Sequence, residues 1–147
     1  TEYLALAFGV DDSYNANSSL TKRTIETKSD GANPPSEEKT ISIKVVECTA
    51  KLIKADFNPS DSGMAYLPML FKAADIAEMK DAEIISKMLS ENESNWYGLG
   101  ASGKSTLTRE DCTPNTDYVL VAVGLKGQFD NVATTGLFRQ EVKTKAE

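Results

Sequence analysis

The sequence predicts a mostly β chain: a two-sheet β-sandwich with a helical insertion after its third strand, preceded by a β-hairpin belonging to an upstream module. Three observations lead there. A strand-loop-strand pattern occurs twice, apolar residues alternate with polar ones through most of the chain, and one interval follows helical spacing instead.

The repeat sets the organisation. Thr1 to Val10 aligns with Thr116 to Leu125 with four identities, at Thr1, Tyr3, Ala7 and Gly9. After a polar loop, Ser19 to Lys28 aligns with Gly136 to Lys145, the two loops differing by two residues. Each copy reads as a hairpin, because β-branched and aromatic residues dominate and the period is two. The second copy closes a domain. The first has no strands before it, so residues 1–28 read as the last two strands of a preceding module. Residues 29–38, polar and stiffened by Pro34 and Pro35, read as a linker. Residues 39–147 read as one complete module.

Within that module Ile41, Ile43 and Val45 alternate with polar partners as a first strand. Ile53, Ala55 and Phe57 form a second, before the turn signals at Asn58 to Gly63. Ala65 to Phe71 is a third. From about residue 74 to 89 the rhythm changes: Ile76, Met79, Ile84, Ile85, Met88 and Leu89 recur at helical spacing, with Asp81 placed to cap a second helical segment. Ser105 to Thr108 is a further strand. Tyr118 to Leu125 is apolar on both faces, so one face fills the sandwich core and the other needs a cover. The helical face carrying Ile76, Met79, Ile84 and Met88 is the expected cover; a protein interface is the alternative.

Composition narrows the function. A chain of 147 residues with 40% hydrophobic residues can bury a core without disulfides or metals. A net charge of -6 gives no attraction for a phosphate backbone, so nucleic acid is not an expected partner. With no histidine there is no imidazole base and no His metal ligand, and neither a metal nor another cofactor is expected. No apolar run is long enough to span a bilayer. These features point to a non-enzymatic chain.

Thr113-Pro114-Asn115-Thr116-Asp117-Tyr118 and the alternating residues to Gly124 resemble a strand motif of fibronectin type III domains. The final strand, Leu137 to Thr144, resembles theirs as well. The Gly after the strand, the Thr-rich ending and the helical insertion are most similar to divergent modules of Bacteroidetes surface lipoproteins. The resemblance implies an extracellular or outer-membrane-surface location, or a periplasmic one, with no catalytic residue. It also implies a structural role for Tyr118, and for Tyr3 in the first copy, as tyrosines that anchor the crossover between sheets. Phe57 stands where such domains often carry Trp, and Cys112 where the motif has Leu. A spacer or adhesive module is expected, with a protein or glycan as partner. The first hairpin is completed by an upstream module of the same polypeptide or by a neighbouring chain, the latter giving a strand-exchanging oligomer.

Several constellations carry a sharper and a blander meaning. Cys48 and Cys112, the only cysteines, fall at one end of the predicted sandwich, where they form either a disulfide or two small buried hydrophobes. Gly98 to Ser105 literally matches a P-loop, which would make a small nucleotide-binding enzyme using Lys104 and Ser105. Yet the polar stretch Ser90 to Asn95 before it cannot be a buried parallel strand, so a loop is the better reading. Trp96 and Tyr97 beside that loop, and Tyr14 and Phe129 in the two hairpin loops, either contact a ligand or pack locally. Asp11 to Asn17 is reminiscent of half a calcium loop, but Ala16 and Lys22 replace its Gly and Glu. Asp56 with Asp61, and Glu110 with Asp111, read as carboxylates of solvated turns.

Overall fold

The computed structural model describes residues 2–7, 21–26 and 38–147, with side chains from residue 38 onward. The chain divides into two compact units, Thr1–Glu38 and Lys39–Glu147. In the first, β1 (Glu2–Ala7) and β2 (Thr21–Glu26) form an antiparallel two-stranded ribbon. Tyr3 stands opposite Ile25 in it. The corner role expected of Tyr3, the calcium-like segment Asp11 to Asn17, Tyr14 and most of the expected linker lie outside the described residues.

The second unit is two antiparallel sheets. One contains β3 (Ile41–Cys48), β4 (Ile53–Pro59) and β7 (Ser105–Arg109), ordered β3-β4-β7. The other contains β5 (Ala65–Lys72), β6 (Ala101–Ser102), β8 (Asp117–Leu125) and β9 (Ala133–Lys143), ordered β6-β5-β8-β9. A register shift between Val45 and Glu47 marks an irregularity in β3. Because β6 pairs only with Ala65 and Tyr66, Pro68 lies where the outer edge of β5 has no ladder to lose, the position a strand proline tolerates.

Alternation places Ile41, Ile53, Ala55 and Phe57 of one sheet against Tyr66, Leu120 and Ala122 of the other, with Tyr118 and Cys112 closing one end. Tyr66 is fully buried, and its hydroxyl lies 2.6 Å from Ser105 Oγ, a polar tie between the sheets. The residues of opposite parity on β8, Val119, Val121 and Val123, join a second core. Helix α1 (Ala73–Ile76) and helix α2 (Asp81–Ser94), between β5 and β6, supply Ile76, Ile84 and Met88 to that core. Leu67, Met69 and Phe71 of β5 complete it, and Met79 packs at its margin. The second unit is thus sheet, sheet and helix in three layers.

The helical interval differs from expectation in two respects. The second segment starts at Asp81 as expected, after a break at residues 77–80, but it runs on through the polar stretch to Ser94. Asp81 is also not the cap: Lys80 holds that position, its N–H donating to Glu83 Oε2 at 2.7 Å, while Asp81 pairs with Arg139 of β9. The ion pair fastens the start of α2 to the sheet it covers.

If the helix layer is structural, Ile84→Ala, which empties a fully buried site, should cost about 3 kcal/mol, within the usual range for such truncations. Val46→Ala on the exposed strand surface should cost less than about 0.5 kcal/mol. Urea titration reads both; equal midpoints for the two variants would remove α2 from the folded core.

Candidate ligand surface at one pole of the sandwich

At one pole of the second unit, the β4–β5 turn, the α2–β6 connection, the β6–β7 turn and the β8–β9 loop meet. Gly103 N–H donates to Met64 O at 3.1 Å, and Gln128 Nε2 to Gly100 O at 3.3 Å. Two glycines make this closeness possible. A Cβ at Gly100 would lie 2.1 Å from Gln128 O, and Gly103 has φ +64 with Ser62 O just 2.8 Å from where its Cβ would be.

Those contacts correct the nucleotide-binding alternative. Within Gly98 to Ser105, β6 pairs antiparallel with β5, and β7 begins at Ser105 and pairs antiparallel with β4. No parallel strand delivers the loop and no helix starts after it, so the amides that would cradle a phosphate are not assembled. Ser105 Oγ is engaged by Tyr66, and Lys104 lines a shallow surface groove with Asp56, Asn58 and Thr106. The glycines serve close packing and a left-handed turn.

The α2–β6 connection is held from beneath by Asn92, a fully buried polar side chain that sequence reasoning passed over. Its Oδ1 accepts from Leu99 N–H at 3.2 Å, and its Nδ2 donates to Asn131 Oδ1 at 3.3 Å, joining this connection to the β8–β9 loop. The only hint was an Asn near the end of a helical run. Its backbone carbonyl also accepts from Tyr97 N–H at 2.8 Å.

On this base sit the loop aromatics. Trp96 is 91% exposed and Phe129 75%, with Val132 exposed beside the latter in sequence. Tyr97 is half-buried. Trp96 and Tyr97 are both left-handed, with φ 56 and 58, just after the helix end at Asn95, where Gly or Asn is the usual occupant. Asn95, Gln128 and Asp130 provide polar side chains along the same two loops.

The opposite pole is built for crossover. Tyr118 is buried and its hydroxyl accepts from Thr113 N–H at 2.8 Å. Buried Thr144 accepts from Thr116 N–H at 2.9 Å and lies 2.7 Å from Thr113 O, fixing the end of β9 to the same turn. Cys48 and Cys112 are free thiols in this structure. Cys48 Sγ donates to Lys143 O at 3.3 Å on the β3 side, while Cys112 Sγ contacts Arg109 O beyond β7. Burial, then the nearby Asp111 carboxylate, pushes the Cys112 thiol above its ordinary pKa.

The carboxylates singled out in the sequence are engaged separately. Asp56 accepts from Thr106 Oγ1 at 2.6 Å, whereas Asp61 accepts from Gly63 N–H and pairs with Lys39 at 3.0 Å. The Gly63 hydrogen bond, followed by Lys39, holds the Asp61 carboxyl below its usual range. Glu110 and Asp111 are exposed. Among the described residues no three His, Cys, Asp or Glu side chains are grouped to hold a metal ion. Also among them, no helix is long and apolar enough to cross a membrane.

No family model matches the sequence, and no curated protein matches it. Among solved structures the chain is similar to the sensor domain of an anti-sigma factor from Pseudobacteroides cellulosolvens. The TM-score is 0.50 at 16% identity, covering 76% of this chain and 99% of that one. The likeness is one of fold, compatible with a mostly β sandwich of two antiparallel sheets.

Two outcomes follow from the poles. Asn92→Ala leaves Leu99 N–H without its partner and should cost about 1–3 kcal/mol, with hydrogen exchange at residues 97–100 accelerating first; unchanged exchange there would show that the amide holds nothing. With a raised pKa, Cys112 stays protonated, and whatever stability this adds is present below the ordinary thiol pKa and lost as pH rises through the folded value. Iodoacetamide at pH 8.5 should therefore alkylate Cys112 more slowly than half-buried Cys48, as peptide mass mapping would read; equal rates would contradict this arrangement.

Proposed function

We propose that this chain is a non-catalytic, extracytoplasmic module of fibronectin type III-like character, part of a tandem array of the kind found in Bacteroidetes surface lipoproteins. It spaces or presents other domains and offers its loop pole to a protein or glycan. The observation that carries this reading is register. In β1–β2, Tyr3 pairs with Ile25, Leu4 with Thr24 and Leu6 with Lys22; in β8–β9, their repeat equivalents Tyr118, Val119 and Val121 pair with Val142, Glu141 and Arg139. The sequence repeat and the strand pairing coincide position by position, as two copies of one closing hairpin require.

Strand order supports the fibronectin-like character. Counting from β3, the first, second and fifth strands share one sheet, and the third, sixth and seventh share the other, as in immunoglobulin constant-type sandwiches; the short fourth strand joins the third. The hydrogen bond from Thr113 to Tyr118 fits a tyrosine corner. The absence of histidine from the sequence favours binding over catalysis. A second reading, strand exchange between chains, is favoured by β1 and β2 forming a two-stranded ribbon among the described residues, since such ribbons are marginal alone.

The intact chain screened against immobilised extracellular proteins and glycans should bind saturably, return its ligand with unchanged mass, and lose binding in Trp96→Ala. Ligand converted to product would overturn the non-catalytic reading, and inertness towards the whole panel would reduce it to a spacer. Sedimentation separates the second reading: a concentration-dependent dimer favours exchange, a monomer the array.

A further inference from the structure

The α2–β6 connection closes the end of α2, with Trp96 N–H donating to Glu93 O at 3.0 Å and Tyr97 N–H to Asn92 O at 2.8 Å, but it does so with residues that strain the backbone. Left-handed backbone costs about 1–2 kcal/mol at a non-glycine residue, more than it does at the Gly usually found after a helix end. Here two bulky residues in succession adopt it, and the first, Trp96, places 91% of its surface in solvent, so little burial offsets the strain. Strain held by a satisfied buried amide, beneath an apolar ring that contacts little of its own chain, is an arrangement expected of a binding site.

Resting on the reading of this pole as a ligand surface, we propose that Trp96 and Phe129 are two platforms for a neutral polysaccharide, each stacking on the C–H face of a sugar ring. Three observations select this class. First, the exposed apolar residues of the pole, Trp96, Phe129 and Val132, are spread over two loops and interleaved with Asn95, Gln128 and Asp130. A protein interface would centre on a contiguous apolar core, whereas a sugar presents an apolar ring face rimmed by hydroxyls, which amides and a carboxylate can bond. Second, Glu93 and Asp130 stand against Lys104 and Lys126 there, and Glu91 is already paired with Lys87 at 3.2 Å, so the pole has no excess positive charge to hold sulfated, uronic or phosphate polymers. Third, aromatics on two separate loops suit a chain of linked rings better than a single small ligand. The amides at Asn92 and Asn131 keep the two loops together and so fix the spacing of the platforms.

Trp96 is the only tryptophan, so its fluorescence reports on the site directly. The intact chain is run through gels containing soluble β-glucan, galactomannan, arabinoxylan or starch, with polygalacturonate as the anionic comparison, and acrylamide quenching of Trp96 is measured with each. At least one neutral polymer should retard the protein, shift its emission to the blue and reduce quenching at least twofold, while polygalacturonate does none of the three. Phe129→Ala should weaken binding about tenfold. Trp96→Gly should abolish binding while raising the urea midpoint, because glycine relieves the left-handed strain; a tryptophan kept only for structure would lower the midpoint when replaced. Retardation that survives Trp96→Gly, or no effect of any neutral polymer on quenching, overturns the inference. If the glycans fail but an extracellular protein binds and is lost in Trp96→Ala, the proposed function stands and the polysaccharide does not.

Discussion

The structure depends on a strand that is apolar on both faces. In β8, Tyr118, Leu120 and Ala122 look into the sandwich and Val119, Val121 and Val123 look out of it, and all six are buried. A sheet on one side satisfies the first set. The second set, left wet, would be an adhesive stripe at the centre of the four-stranded sheet, so a further layer has to cover it. The α1–α2 segment between β5 and β6 does this with Ile76, Ile84 and Met88, and Arg139 on β9 clasps Asp81 at the start of α2.

Covering that face has a consequence for the pole. A helix running to Ser94 must hand the chain back to the sheet edge at Ala101, and only six residues separate the two elements. The return is made by consecutive left-handed residues, by Gly100 pressed against Gln128 O, and by Asn92 bonded both to its own connection and to the β8–β9 loop. The same closure that completes the second core therefore leaves Trp96 projecting into solvent on a held base. Fold and candidate site are joined through the end of one helix.

Much of this was readable from residue periodicity. Ile53, Ala55 and Phe57 announce a half-buried strand, and the double alternation of β8 announces both a core and a need for cover. What escaped was set by tertiary contact. Ser90 to Ser94 carries no apolar stripe, so nothing local signals that α2 continues there. Asn92 looks like any polar residue near a helix end until Asn131 is seen opposite. A two-residue strand such as β6 has too few positions to show a period. The Gly98 to Ser105 pattern misled for a related reason: Gly100 and Gly103 are required by Gln128 and Ser62, neighbours that the linear sequence does not reveal. Left-handed Trp96 and Tyr97 carry no residue signature, since bulky side chains disfavour that backbone.

Native-state hydrogen exchange through the intact second unit tests most directly whether the helix layer and β8 are one cooperative body. Amides of α2 from Ile84 to Met88 should exchange with the same opening free energy and the same urea dependence as those of Leu120 to Val123, both set by global unfolding. Exchange of the α2 amides through a cheaper opening that leaves β8 fully protected would mean that the strand does not need its second cover.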